Sequence, residues 1–139
     1  MEEFFKETVI NLSKQSKCIS KQVGALIVRD NRIISTGYNG TIPTTKNCCE
    51  IEHDDHHAWS IKNELHAEQN AIIMAAKSGI AIEGCTCYSS LQPCNTCLLM
   101  LLQAGIKEIV YLNEYERSNY SDDIKEFMKV NNVIFRKFS

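Results

Sequence analysis

The sequence lacks several features that would mark an unusual class of protein. Only two prolines, one tryptophan and six glycines occur among its 139 residues, and it contains no low-complexity tract or internal repeat. A disordered, collagenous or repetitive chain is therefore excluded, because each needs a strong compositional bias. No apolar run approaches the roughly 18 residues that a transmembrane helix needs, which argues against a membrane protein.

The sequence also lacks a secretion signal and an excess of charge of one sign. Its first residues, MEE, are acidic, and no basic region, long apolar run or cleavage site follows as in a signal peptide. We therefore predict a soluble intracellular protein whose seven cysteines are reduced thiols or metal ligands. The formal net charge of -2 argues against a nucleic-acid surface and favours a small substrate.

The length and the residue pattern predict one α/β domain, residues 1–139. Apolar periodicity predicts helices at 2–16, 66–79, 93–105 and 122–131, a β-hairpin at 23–40, and strands at 85–91, 106–112 and 133–138. The polar segment 40–64 has no clear period and is predicted to be a long loop with a short helix near its end. Helices that alternate with strands after a hairpin indicate a mixed sheet, whose ligands bind where strands end and helices begin.

Residues able to perform chemistry stand at the starts of two predicted helices. His66 and Glu68 are two residues apart, about 200° around a regular helix, so a site that uses both must lie beyond the helix end. Cys94 and Cys97 form a C-x-x-C pair at the next helix. One imidazole and two thiolates suit zinc, and three ligands leave an open position for a water of lowered pKa. Glu68 would then be the general acid and base, not a ligand.

The segments HAE and PCNTC resemble the zinc signature of the cytidine deaminase-like superfamily. VGALIVRDNRIISTGYNG, HAEQNAI and AGIKEIVYLNEY resemble the deoxycytidylate deaminases over nearly the whole chain, and NCCE, SKC and HHAWSIKNELHAE resemble their phage-type members. The resemblance implies a three-layer α/β/α fold with a mixed five-stranded sheet and helices on both faces. It also implies zinc-dependent hydrolysis of dCMP to dUMP and ammonia, which supplies dUMP for thymidylate synthesis.

The same resemblance implies roles for individual residues. Glu68 protonates N3 of cytosine and then the departing amine, while Ala67 offers backbone groups to the base. Asn39, in the GYNG turn, hydrogen-bonds sugar and phosphate. For Tyr38 and Gly40, an alternative to ligand contact is a packed ring and a turn that needs glycine.

The substrate pocket is further expected to contain a tyrosine and phosphate contacts. The resemblance places Tyr115 near the pyrimidine, although an ordinary packed surface tyrosine is an alternative. Ser20 and Lys21 are the expected phosphate contacts, because a nucleotide monophosphate needs donors and positive charge. For Lys14, Lys17 and Lys21, a solvated face is the alternative.

A second zinc site is also implied by the resemblance to phage-type members. Its four ligands are Cys18, Cys48, His56 and Glu64. Four donors without an open position would make the site structural, fastening the long loop to the N-terminal helix. A loop with incidental thiols is the alternative, and nearby substitutes for the ligands are Cys49, His53 and His57. Cys85 and Cys87 are interpreted as packing residues.

Assembly and regulation are implied only by the resemblance. Such enzymes are homohexamers, activated by dCTP and inhibited by dTTP with Mg²⁺, and they work in the cytoplasm, which for a viral protein is that of the host. Two other functions are alternatives for this sequence. Deamination of a base in tRNA would favour a basic stripe, and a zinc-stabilised binding module would have no need for Glu68.

Overall fold

The computed structural model describes residues 1–51 and 54–139. Its elements along the chain are α1 Glu2–Ser13, β1 Gly24–Arg29, β2 Arg32–Tyr38, α2 His56–Asn63, α3 Ala67–Lys77, β3 Thr86–Leu91, α4 Asn95–Gln103, β4 Glu108–Asn113, α5 Asp122–Val130 and β5 Ile134–Lys137. A single 3-10 turn, Cys48–Glu50, lies between β2 and α2. Each predicted helix and strand is therefore present.

The five strands form one mixed sheet in the order β2-β1-β3-β4-β5. β1 runs antiparallel to both β2 and β3, whereas β3, β4 and β5 are parallel to one another. The β1–β2 hairpin closes through Asp30 and Asn31, with φ values of 51° and 61°. Both lie in the left-handed region that a two-residue hairpin turn requires. The predicted mixed five-stranded sheet is confirmed.

Helices cover both faces of this sheet. Because successive residues of a strand point to opposite sides, β1 contributes side chains to the core on each face. Leu26 and Val28 of β1 face one side, where they pack with Phe5 and Val9 of α1. The alternate β1 residues face the other side, where they join a core built from α3, α4 and part of α5. The structure thus confirms the predicted three-layer α/β/α arrangement.

Two boundaries differ from the sequence prediction or refine it. α1 ends at Ser13, three residues earlier than predicted, because the backbone N–H groups of Gln15 and Ser16 donate to carbonyls three residues back. Such 3-10-type bonds commonly tighten the last turn of a helix. In segment 40–64 the predicted short helix is α2, capped by the Asp55 carboxylate, which accepts from Ala58 N at 3.3 Å.

Two other predictions concern the helix ends and the membrane. Gly79 and Gly105 follow α3 and α4 with φ of +67° and +87°, as expected of residues that end helices in the left-handed region. In the described part of the chain, every helix is too short or too polar to span a membrane.

Candidate active site

His66 and Cys94 are the N-cap residues of α3 and α4, and their side chains are in contact. His66 has extended backbone angles, φ -78° and ψ 159°, so it precedes the helix instead of belonging to it. Its N–H donates to Gln69 Oε1 at 2.8 Å, which fixes the turn. The Cys94 sulfur accepts from Cys97 N at 3.5 Å at the start of α4. The cap position places His66 just before the first turn of α3, where the sequence predicts the site.

The structure brings His66, Cys94 and Cys97 into one cluster. The Nδ1 atom of His66 lies 3.2 Å from Cys97 Sγ and 3.4 Å from Cys94 Sγ, and all three potential ligand atoms are within 4.8 Å of one another. Tetrahedral zinc, with bonds of about 2.3 Å to sulfur and about 2.0 Å to nitrogen, holds such ligands roughly 3.5 Å apart. The donor types and their spacing thus fit zinc.

The pKa values of the two thiols in this cluster are shifted in opposite directions. The pKa of Cys94 is lowered to about 4, because Cys97 and His66 hydrogen-bond its thiolate. The pKa of Cys97 is raised by its contact with the Cys94 thiolate and by burial, and the thiolate also raises the pKa of His66. One negative charge is therefore already stabilised, and a cation at the centre would offset the cost of ionising the second thiol.

Glu68, the second residue of α3, is buried with only 4% of its surface exposed. Burial raises the pKa of its carboxyl to about 7, although the nearby His66 works in the opposite direction. A group with a pKa near neutrality can both accept and donate a proton at neutral pH. Its acidity is thus suited to general acid and base catalysis.

A cleft of about 660 Å³ opens onto this cluster. Most of the predicted site residues line it: Cys18, Ser20, Lys21, Asn39, His56, Glu64, His66, Ala67, Glu68, Cys94 and Tyr115. Cys97 is fully buried beneath them. Tyr38 and Gly40 are outside the lining, and their backbones pair instead with the Asn70 side chain and with Leu65. The alternative roles are not supported either, because Tyr38 is 44% exposed rather than packed, and Gly40 has no positive φ and open space where a Cβ would stand.

Asn39 and Lys21 are connected within the cleft wall. The Asn39 side chain accepts from Val23 N at 2.9 Å and donates to Lys21 O at 2.8 Å. It therefore shapes the loop that carries Ser20 and Lys21, with one donor and one lone pair left for a ligand. The Lys21 ammonium lies 4.1 Å from the centre of the Tyr115 ring, a cation–π contact across the cleft.

The cleft also contains residues that the sequence does not predict, among them Gln92 and Arg117. Gln92 precedes the PCNTC segment and accepts from Tyr115 N at 3.1 Å through its Oε1. Arg117 lies in the polar loop after β4, which the sequence presented only as a connection. The position of Gln92 next to the cysteine motif was a usable signal, whereas nothing local indicated that Arg117 turns inward.

The family model for the cytidine and deoxycytidylate deaminase zinc-binding region matches residues 1–113. The chain belongs to this family. It is 38% identical over 151 residues to the deoxycytidylate deaminase of Enterobacteria phage T4, covering 81% of this chain and 78% of that enzyme. The mouse deoxycytidylate deaminase is 36% identical over 149 residues, covering 99% of this chain and 79% of that enzyme.

A solved structure supports the same assignment. The dCMP deaminase of cyanophage S-TIM5, in complex with dCMP and dUMP, superposes with a TM-score of 0.80 at 33% identity, covering 98% of this chain and 95% of that chain. The resemblance to phage-type deoxycytidylate deaminases and the predicted fold are confirmed. The chain is a deaminase of the hydrolase class, and it carries the zinc-binding region of its family.

The deaminase has a second cluster of potential metal ligands. Cys18 Sγ lies 3.3 Å from His56 Nε2 and 3.6 Å from Glu64 Oε1, and His56 Nε2 is 3.8 Å from that same oxygen. Cys48 completes the group. Its Sγ lies within 4.8 Å of the potential ligand atoms of Cys18 and His56, a sulfur and a ring nitrogen. Burial raises the pKa of Cys48. The four predicted residues are thus together, although they come from separate segments.

This second cluster also fits a metal. Glu64 is 9% exposed, and its Oε2 is a buried oxygen that has no hydrogen-bond partner within residues 1–51 and 54–139. A buried carboxylate oxygen without a partner is costly, and metal coordination would relieve that cost. Two thiols, an imidazole and a carboxylate make a donor set that zinc accepts.

The remaining candidates differ in their positions. Cys49 is exposed, His57 contacts Arg117, and His53 lies outside the described residues. Cys85 and Cys87 are buried in the core between the sheet and α3, which agrees with their interpretation as packing residues.

Proposed function

We propose that this deaminase hydrolyses dCMP to dUMP and ammonia. The observation that carries the proposal is a single cleft with the His66, Cys94 and Cys97 cluster and the buried Glu68 at its base and the Lys21 ammonium on its wall. A cytosine base would fit at the cluster while a phosphate remains near the cation. The cyanophage relative, solved with dCMP and dUMP, supports this choice of substrate.

The chemistry replaces the C4 amino group of cytosine with a carbonyl oxygen from water. His66, Cys94 and Cys97 would hold zinc, which when bound lowers the pKa of water and so supplies a nucleophile at neutral pH. Glu68 takes a proton from that water, delivers one to N3 of the base, and later protonates the departing amine. The C4–N4 bond breaks and ammonia leaves. Ala67, fully buried beside Glu68, presents backbone groups to the base.

Ammonia release tests the substrate assignment. We expect the purified protein to turn over dCMP well above deoxycytidine, CMP and a tRNA anticodon stem, because only dCMP offers both deoxyribose and a 5′-phosphate within a small cleft. A higher rate on the tRNA stem would overturn the proposal in favour of RNA deamination. Absence of any deamination, even with dCTP and Mg²⁺ added, would contradict it as well.

We further propose that Cys18, Cys48, His56 and Glu64 bind a second, structural zinc. The four donors close the site, and they connect the segment after α1 with the 3-10 turn and α2. Such a metal would replace the apolar core that the long segment between β2 and α3 does not form by itself.

Cys48→Ser should reduce the zinc content from two ions per chain to one and lower the melting temperature. Cys49→Ser is the matched control, because the neighbouring thiol is exposed and should leave both quantities unchanged. Metal analysis and thermal unfolding measure the two effects. Equal zinc content in the two variants would exclude Cys48 as a ligand.

Regulation and assembly complete the proposal. From the family resemblance we expect a homo-oligomer, with a hexamer favoured, that is activated by dCTP and inhibited by dTTP with Mg²⁺. We expect its dUMP to supply thymidylate synthesis in the cytoplasm, which for a viral protein is that of the host. Nucleotides, rather than nucleic acids or membranes, are the expected partners. A monomeric mass at working concentration would contradict the assembly.

A further inference from the structure

The loop between β4 and α5 forms one wall of the active-site cleft and is firmly attached there. Ser118 Oγ donates to Pro93 O at 2.8 Å, and the Tyr120 hydroxyl donates to the same carbonyl. Gln92 Oε1 accepts from Tyr115 N at 3.1 Å. These bonds fix the loop to the two residues that precede Cys94, so its side chains are held at a defined position relative to the catalytic cluster.

Arg117 extends from this loop to α2 on the opposite side of the cleft. Its Nη1 lies 2.8 Å from Nδ1 and 3.0 Å from Nε2 of His57. A guanidinium group has only donors and an imidazole has at most one acceptor nitrogen, so no more than one of these two contacts is a hydrogen bond. Arg117 forms no ion pair with a carboxylate in the described ranges 1–51 and 54–139. Its permanent charge in the cleft is therefore not neutralised by a direct partner.

The other cationic group of the cleft comes from the facing wall. The Lys21 ammonium lies over the ring of Tyr115. Tyr115 precedes Arg117 by two residues in the loop. The neighbouring Gln22 is turned away, since its Nε2 donates to Ser16 O at 2.7 Å. The acidic residues that line the cleft are Asp54, Asp55, Glu64, Glu68 and Glu116. Asp55 caps its own helix, and within residues 1–51 and 54–139 none of the five forms an ion pair with Lys21 or Arg117. Lys21 and Arg117 thus bring positive charge to the cleft from two separate segments of the chain.

We propose that Arg117 is a specificity-determining residue that binds the 5′-phosphate of the substrate together with Lys21. This inference rests on the proposed function. With the base at His66 and Glu68 in the floor of the cleft, the phosphate must project toward its opening, where Arg117 is fixed. The planar guanidinium matches two phosphate oxygens at once, and on binding them it exchanges its contact with the His57 ring for contact with an anion.

Comparing dCMP with deoxycytidine isolates the phosphate contact. In Arg117→Gln, kcat/KM for dCMP should fall about ten- to hundredfold more than kcat/KM for deoxycytidine, mainly through a higher KM for dCMP. Arg117→Lys, which keeps the charge without the fork, should give a smaller loss. Arg32→Gln is the matched control. Arg32 is an exposed arginine, the first residue of β2 after the hairpin turn, and it does not line the cleft. The substitution should leave the preference between the substrates unchanged.

Calorimetric titration with dUMP and deoxyuridine tests the contact without turnover. Arg117→Gln should weaken dUMP binding by a similar factor and deoxyuridine binding much less. An equal loss for both ligands, or an unchanged preference for dCMP, would overturn the role of Arg117 while leaving the proposed function intact. A wild-type protein that binds dUMP no better than deoxyuridine and does not deaminate dCMP would instead refute the proposed function itself.

Discussion

Glu68→Gln is expected to lower the rate of deamination by about 10²- to 10⁴-fold while the zinc content stays unchanged. The amide retains the size of the carboxyl group but cannot carry the proton from water to N3 and the amine. Because Glu68 is not among the three clustered donors at the base of the cleft, its replacement removes no ligand. Ammonia release with dCMP and metal analysis of the same preparation measure both quantities.

An exposed glutamate provides the control for this substitution. Glu126→Gln removes the same charge from the solvent-facing side of α5 and should leave turnover and zinc content at wild-type levels. If Glu68→Gln kept more than about a tenth of the wild-type rate, proton transfer would have to be assigned to another group. If it lost zinc, Glu68 would have to be counted as a ligand or as a support for one.

Cys97→Ala is expected to lower zinc occupancy and to reduce deamination by at least about a hundredfold. Its thiol is fully buried, 3.2 Å from His66 Nδ1, and its loss leaves two of three protein ligands. Changes to residues that merely support a ligand cost 10–100-fold in affinity or activity, so removal of a ligand itself should cost at least as much. Metal analysis, with excess zinc dialysed away, and ammonia release measure the effects.

Cys85→Ala separates this effect from the loss of a buried thiol. Cys85 is also buried, in the core between the sheet and α3 and outside the metal cluster. Its substitution should keep the zinc that Cys97→Ala loses. If the two variants retained equal zinc at the catalytic cluster, the proposed ligand set of His66, Cys94 and Cys97 would be wrong.

The sequence by itself determined the order and type of the elements. A continuous apolar run from Ala25 to Val28 defines β1, which is buried on both faces, and the Asp30-Asn31 turn, with its left-handed φ values, closes the hairpin within the predicted segment 23–40. Gly79 and Gly105 mark helix ends. These signals are local, because backbone conformation and face alternation depend on neighbours a few positions away. The catalytic motif was equally readable, since its ligands lie at predictable helix starts.

Only the tertiary structure decided which distant residues meet. Cys18, Cys48, His56 and Glu64 are separated by up to 46 positions, and no periodicity indicates that a loop, a 3-10 turn and α2 converge. The near-neutral pKa of Glu68 depends on burial, which arises when the sheet and neighbouring helices enclose the first turn of α3. Arg117 likewise reaches the cleft only because its loop is bonded to Pro93. Burial and contact between remote segments are properties of packing, whereas helix, strand and turn signals are properties of the local chain.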